Sequence, residues 1–119
     1  MKDLALIIED DEDLSIIFSE ALSAAGFETE IVRDGAAAKE RIAALEPTVI
    51  ILDMHLPHVS GADLLKQIRA DTRLTTTRVV VATGDARMGE ALRDDADFVL
   101  IKPISFTQLR ELTQRLHKM

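Results

Sequence analysis

The 119-residue chain carries 21 acidic against 14 basic residues, a formal net charge of −7, and is 47% hydrophobic and 29% charged. One hydrophobic core serves a chain of this size, so residues 1–119 are expected to form a single globular domain rather than a disordered segment. The acidic balance argues against direct nucleic-acid binding, and the absence of cysteine excludes disulfides, thiolate nucleophiles and Cys-based zinc sites.

The first apolar run, Leu4 to Ile8, is far shorter than the roughly 18 residues a membrane span needs, and no secretory signal precedes it. No membrane association is expected, and the cytoplasm is the default location. The run leads into Glu9, Asp10, Asp11, Glu12 and Asp13. Leu14, Ile17, Phe18, Ala21, Leu22 and Ala25 then follow a helical period that stops at Gly26. Glu28 to Val32 alternates, as a strand near a sheet edge does. Asp34 is placed to cap a helix carrying Ala38, Ile42 and Leu45 inward and ending before Pro47.

Val49 to Leu52 is a third apolar run, followed by Ser60 as the cap of a helix with Gly61, Leu64, Leu65 and Ile68 on one face. After Val79 to Ala82 comes the weakest helical stretch, Ala86 to Arg93, with Ala91 and Leu92 as its main apolar positions. Phe98 to Ile101 is the fifth run. Ser105 and Gln108 form a capping-box pattern ahead of Leu109, Leu112 and Leu116. The first, third, fourth and fifth runs are continuously apolar, the pattern of strands buried on both faces. Five strand–helix alternations predict an α/β fold, a doubly wound, flavodoxin-like parallel sheet of five strands in the order 2-1-3-4-5 with five helices.

Open parallel sheets collect their chemistry at the carboxyl ends of the strands. Here those ends supply Glu9 and Asp10, Asp53, Thr83, and Lys102 followed by Pro103. Clustered carboxylates repel unless a cation neutralises them, and an all-oxygen set suits Mg²⁺, with Mn²⁺ as the alternative ion. For Asp11, Glu12 and Asp13 a simpler reading suffices: acidic residues favour the positive N-terminus of the next helix. Lys102 could be a plain salt-bridge partner of the carboxylates. A lysine, a threonine hydroxyl and a metal-bound carboxylate are also the groups that hold a transferred phosphoryl.

Four pieces, Ile7-Ile8-Glu9-Asp10-Asp11, Leu52-Asp53-Met54-His55-Leu56-Pro57 with Gly61, Ala82-Thr83-Gly84 and Ile101-Lys102-Pro103, resemble the receiver domains of two-component response regulators, in order and across essentially the whole chain. The resemblance implies that Asp53 accepts a phosphoryl group from a histidine kinase or phosphotransfer protein. It implies Mg²⁺ held by Asp10, by Glu9 through water, by Asp53 and by the backbone carbonyl of His55. Thr83 would bond the phosphoryl group after moving inward, Lys102 would pair with it, and the Lys102–Pro103 bond would be cis. His55 and Asp85 would flank the path of the hydrolytic water and modulate its rate. Such a chain is not an enzyme on other substrates: it catalyses only its own phosphoryl acceptance and loss. If the chain is the whole protein, its output has to come through a downstream protein partner.

Three positions depart from the family pattern. Val99 stands where a switch aromatic is usual, Gly84 where alanine is common, and the stretch from Gly84 to Ala96 is short, which predicts a reduced fourth helix. A dehalogenase-like phosphotransferase would want a second Asp where His55 stands, and nucleotide binding lacks a glycine-rich phosphate loop. The remaining alternative is a receiver-like interaction module without phosphorylation control. Its mark would be loss of the acceptor, the acidic pair or the lysine, and all are present. His55 and His58 read as ordinary loop residues, and Met54 and Met88 form no pattern.

Overall fold

A computed structural model describes residues 3–117. Its elements run β1 (Leu4–Ile8), α1 (Glu12–Ala24), β2 (Glu28–Val32), α2 (Gly35–Ala44), β3 (Val49–Asp53), α3 (Gly61–Ala70), β4 (Arg78–Thr83), α4 (Ala86–Ala91), β5 (Phe98–Ile101) and α5 (Phe106–Thr113). The strands pair in parallel in the order β2-β1-β3-β4-β5, the topology read from the alternation of apolar runs and helical stretches. Among the described residues no helix is long and apolar enough to cross a membrane.

Alternate residues of the central strands enter two separate cores. Ala5, Ile7, Val49, Ile51, Val80 and Ala82 face Phe18, Ala21, Leu22 and Leu109 of α1 and α5. Leu6, Ile8, Ile50, Leu52, Val79 and Val81 face Ala38 and Ile42 of α2 and Leu64, Leu65 and Ile68 of α3. Burying each such Leu, Ile or Val contributes about 1.5–3 kcal/mol, which is why the central strands tolerate almost no polar residue.

The caps expected at Asp34, Ser60 and Ser105 are in place, and Asp11, read from the sequence only as charge at a helix start, proves to be a cap as well. Asp11, Asp34, Ser60 and Ser105 accept backbone N–H bonds at the starts of α1, α2, α3 and α5. At the end of α1, Gly26 takes a φ of +99°, and Phe27 N–H returns to the Leu22 carbonyl at 3.0 Å, a turn that a residue with a Cβ enters only under strain.

The burial pattern differs from the sequence reading at four places. In α1, Ile17 is exposed while Ser15 is fully buried, because Ser15 satisfies its hydroxyl internally: it donates to the Glu12 carbonyl at 2.7 Å and accepts from Arg33. Leu45 leaves α2 as an extended residue and packs on the core only in part. β5 is not covered on both faces, since it lies at the open edge of the sheet and Ile101 is exposed. In α4 the inward residues are Met88 and Gly89, joined by Leu92 at its C-cap, rather than Ala91, which faces solvent. The helix is six residues long, reduced as expected.

Candidate functional site

The carboxyl ends of β1, β3, β4 and β5 converge because the strands are parallel and in close register, with Ile8 opposite Leu52, Asp53 opposite Ala82 and Thr83 opposite Ile101. Each residue that leaves a strand therefore projects into the same end of the sheet. Glu9 and Asp53 are buried there although both are acidic, while Asp10 beside them is exposed. One carboxylate oxygen from each of the three lies within 4.8 Å of the others.

Lys102 is the cation of the cluster. Its Nζ stands 2.9 Å from Glu9 Oε1 and 3.3 Å from Asp53 Oδ1. The lysine is held in place by its own backbone, whose N–H donates to the Thr83 carbonyl at 2.8 Å, and the following bond to Pro103 is cis. His55 N–H donates to Asp53 Oδ1 at 3.1 Å, so two donors meet on that one oxygen. Asp11 N–H donates to Glu9 Oε2 at 3.2 Å. Glu9 Oε1 is buried, and the partner it has is the Lys102 ammonium that it shares with Asp53.

Burial pushes the Glu9 carboxyl up to about 7, with the Lys102 contact pulling the other way and the Asp53 charge adding to the rise. Burial alone would push the Lys102 ammonium down, but the contact and charge of Glu9 and the charge of Asp53 outweigh it and hold its pKa above the ordinary range. The site thus holds more negative charge than one ammonium balances. A buried carboxylate oxygen that shares one ammonium with a second carboxylate, beside a third, is the donor chemistry of a hard divalent cation, and with no sulfur or imidazole ligand the set suits Mg²⁺.

Thr83 is fully buried with its hydroxyl turned toward α4. The oxygen accepts Asp85 N–H at 3.0 Å and donates to the Met88 sulfur at 3.9 Å. Asp85 Oδ1 caps α4 by accepting Arg87 N–H and Met88 N–H. His55 is exposed on the loop after β3, and His58 on the same loop stands 3.8 Å from Asp34 rather than near the carboxylates. The structure therefore gathers Glu9, Asp10, Asp53 and Lys102, and leaves Thr83 beside them but engaged elsewhere. The sequence reading missed Met88 and Gly89. An isolated methionine carries no local signal, and the role of Gly89 follows from a close approach between α4 and β5 that only the tertiary structure displays.

The comparisons with known proteins agree with this geometry. A model of the response regulator receiver domain matches residues 5–114. The DNA-binding response regulator MtrA of Mycolicibacterium paratuberculosis is 28% identical over 109 residues, covering 92% of this chain and 48% of that protein. The chain thus spans about half the length of that curated relative. Among solved structures, a CheY-like response regulator receiver domain from Methylobacillus flagellatus is 30% identical with a TM-score of 0.86, covering 98% of this chain and 99% of its own. The chemotaxis response regulator CheY4 of Vibrio cholerae is 25% identical with a TM-score of 0.84 over 98% of this chain and 99% of its own. The chain belongs to the response regulator receiver domain family of two-component systems.

Proposed function

We propose that the protein is a phosphorylation-controlled signalling receiver of the cytoplasm, which takes a phosphoryl group onto Asp53 from a phosphohistidine of a histidine kinase or phosphotransfer protein. The observation that carries the reading is the meeting of Asp53, Glu9, Asp10 and Lys102 at one end of the sheet, with Lys102 Nζ 3.3 Å from Asp53 Oδ1. Oδ1 receives both the Lys102 and the His55 donors, so Oδ2 is the oxygen suited to attack phosphorus. The new Oδ2–P bond forms as the P–N bond of the donor breaks, and the leaving imidazole nitrogen keeps the electron pair and takes up a proton.

Mg²⁺, with Mn²⁺ as a substitute, supplies neutralisation of the charge on the transferred group. Asp10 and Asp53 would hold it directly and Glu9 through water, with the His55 carbonyl as a further ligand. Lys102 would pair with the phosphoryl group, and the Thr83 hydroxyl, one residue beyond the register partner of Asp53, would donate to a phosphoryl oxygen after turning inward. Loss of the phosphoryl is attack by water on the same phosphorus, with His55 and Asp85 at the flanks of its path. These two transfers are the only chemistry proposed for the chain, and the phosphorylated form would act through a protein target rather than on nucleic acid.

Incubation with a small acyl phosphate, with Mg²⁺ and with a chelator in its place, tests the reading. Uptake and loss of the phosphoryl should both require the metal. Uptake that is as fast in the chelator would remove the metal from the account, and no uptake in either would favour the interaction module without phosphorylation control.

A further inference from the structure

Resting on the reading of Asp53 as phosphoacceptor, we propose that Met88 is the residue that couples the site to α4: its sulfur is the resting acceptor of the single Thr83 hydroxyl proton, and a phosphoryl group on Asp53 competes for that same proton. A threonine hydroxyl has one hydrogen to donate. In this structure it goes to the Met88 sulfur at 3.9 Å, a weak acceptor. A phosphoryl group on Asp53 would bring charged oxygens to the neighbouring strand end, and hydrogen bonds to charged acceptors are shorter and roughly twice as strong as neutral ones. The Thr83 side chain is fully buried, so a hydroxyl that leaves the sulfur is favoured to turn to an acceptor inside the site rather than to solvent.

Thr83 is tied to α4 by more than the sulfur. Its oxygen accepts the N–H of Asp85, the residue that caps α4, and its methyl faces Gly89, where an added Cβ would lie 3.5 Å from Thr83 Cγ2. Rotation of the hydroxyl toward Asp53 gives up the Met88 contact and swings the oxygen away from Asp85 N–H, so the helix loses its fastening to β4. The other side of α4 rests on β5 through Gly89: an added Cβ would stand 2.8 Å from Val99 Cγ1 and 3.3 Å from Ile101 Cδ1. That close seat ties the position of α4 to the side chains of Val99 and Ile101. Methionine suits the junction, since its unbranched, three-bond side chain refills a gap left by a moving neighbour.

The test is a pair of near-isosteric variants that push in opposite directions. Met88→Leu keeps the bulk and removes the acceptor; Met88→Gln keeps the length and offers a stronger one. Both are read by intact mass after phosphorylation and by amide exchange over residues 84–93, with a far-UV spectrum confirming the fold. Both variants should gain the phosphoryl as the parent does. Without phosphorylation, Met88→Leu should already exchange several-fold faster than the parent across 84–93, whereas Met88→Gln should show a phosphorylation-induced change several-fold smaller than the parent's. A merely structural role would shift both variants the same way. Exchange responses in both that match the parent, or that move together, overturn the coupling while leaving the function intact. A parent that gains no phosphoryl mass overturns the reading of the site, and the coupling falls with it.

Discussion

Lys102 holds its Nζ 3.3 Å from Asp53 Oδ1 while the same ammonium stands 2.9 Å from Glu9 Oε1, so one cation at the end of β5 serves two buried carboxylates from β1 and β3. Without it the two carboxylates face each other with no positive charge between them. Lys102→Ala should therefore destabilise the metal-free protein by about 1–3 kcal/mol, the range for leaving a buried polar group unpaired. A divalent cation replaces part of the missing charge, so Mg²⁺ should raise the melting temperature of Lys102→Ala by more than it raises the parent's. Equal shifts in the two proteins would separate the lysine from the cation site.

His117 fastens the last described turn to the start of the chain. Its Nδ1 is 2.9 Å from Asp3 Oδ2, its Nε2 is 2.6 Å from the Ala25 carbonyl, and the ring stacks on Phe27 at 4.0 Å. Both partners are acceptors, so both ring nitrogens donate only in the imidazolium form. The Ala25 carbonyl raises the His117 pKa above its ordinary 6.5, burial opposes the rise, and the Asp3 carboxylate adds to it. A raised folded value means a stabilisation fully present below 6.5 and lost as pH climbs through the folded pKa. Urea midpoints should fall across that window in the parent and fall less steeply in His117→Gln, where the raised Glu9 carboxyl still titrates.

Asp97 gathers three donors at the base of β4 and β5: Val79 N–H at 2.7 Å, Arg69 at 2.8 Å and Arg78 at 3.3 Å. Burial pushes its carboxyl up, but these donors outweigh it and hold the pKa below the ordinary 3.8. The stabilisation is present above that value and lost as pH falls through the lower folded one. Asp97→Ala should cost about 1–3 kcal/mol at neutral pH by leaving the Val79 N–H unpaired, and should flatten the loss of stability below pH 3.8. Unfolding in urea at several pH values measures both.

Gly84 borders the site without steric need of a glycine, since an added Cβ meets nothing within 4 Å and its φ is not in the left-handed region. Gly84→Ala should fold normally and gain about 0.4–1 kcal/mol by restricting the unfolded chain. Gly89→Ala should do the reverse, since its Cβ would press on Val99. Thermal melts of the two variants distinguish the open position from the closed one.

His55 and Asp85 are unequal probes of phosphoryl lifetime. Asp85 Oδ1 caps α4, so its removal disturbs the helix as well as the water path. His55 is exposed and its side chain caps nothing. His55→Ala should alter the dephosphorylation rate several-fold, a modest share of the ~10²–10⁴-fold a positioned group can contribute. A half-life unchanged from the parent would remove the imidazole from the path of the water.

Legibility from sequence followed the range of the interactions. Asp34, Ser60 and Ser105 cap their helices through bonds within three residues, so local pattern located them. Glu9, Asp10, Asp53 and Lys102 could be placed together because parallel strands bring their carboxyl ends to one side of a sheet. The exposure of Ile17 was not legible, since Ser15 takes its place only through Arg33, 18 residues away. Nor was the seat of Gly89 on Val99, or the reach of His117 to Asp3 and Ala25, contacts that depend on how whole helices dock. The apolar run Phe98 to Ile101 misled because hydrophobicity does not distinguish a covered central strand from an edge strand with an exposed isoleucine.

The central claim is that Asp53 takes the phosphoryl group. Intact-mass measurement of the parent and of Asp53→Asn, each incubated with a small acyl phosphate and Mg²⁺, tests it most directly. The account predicts a gain of one phosphoryl in the parent and none in Asp53→Asn. A gain that persists in Asp53→Asn would contradict it.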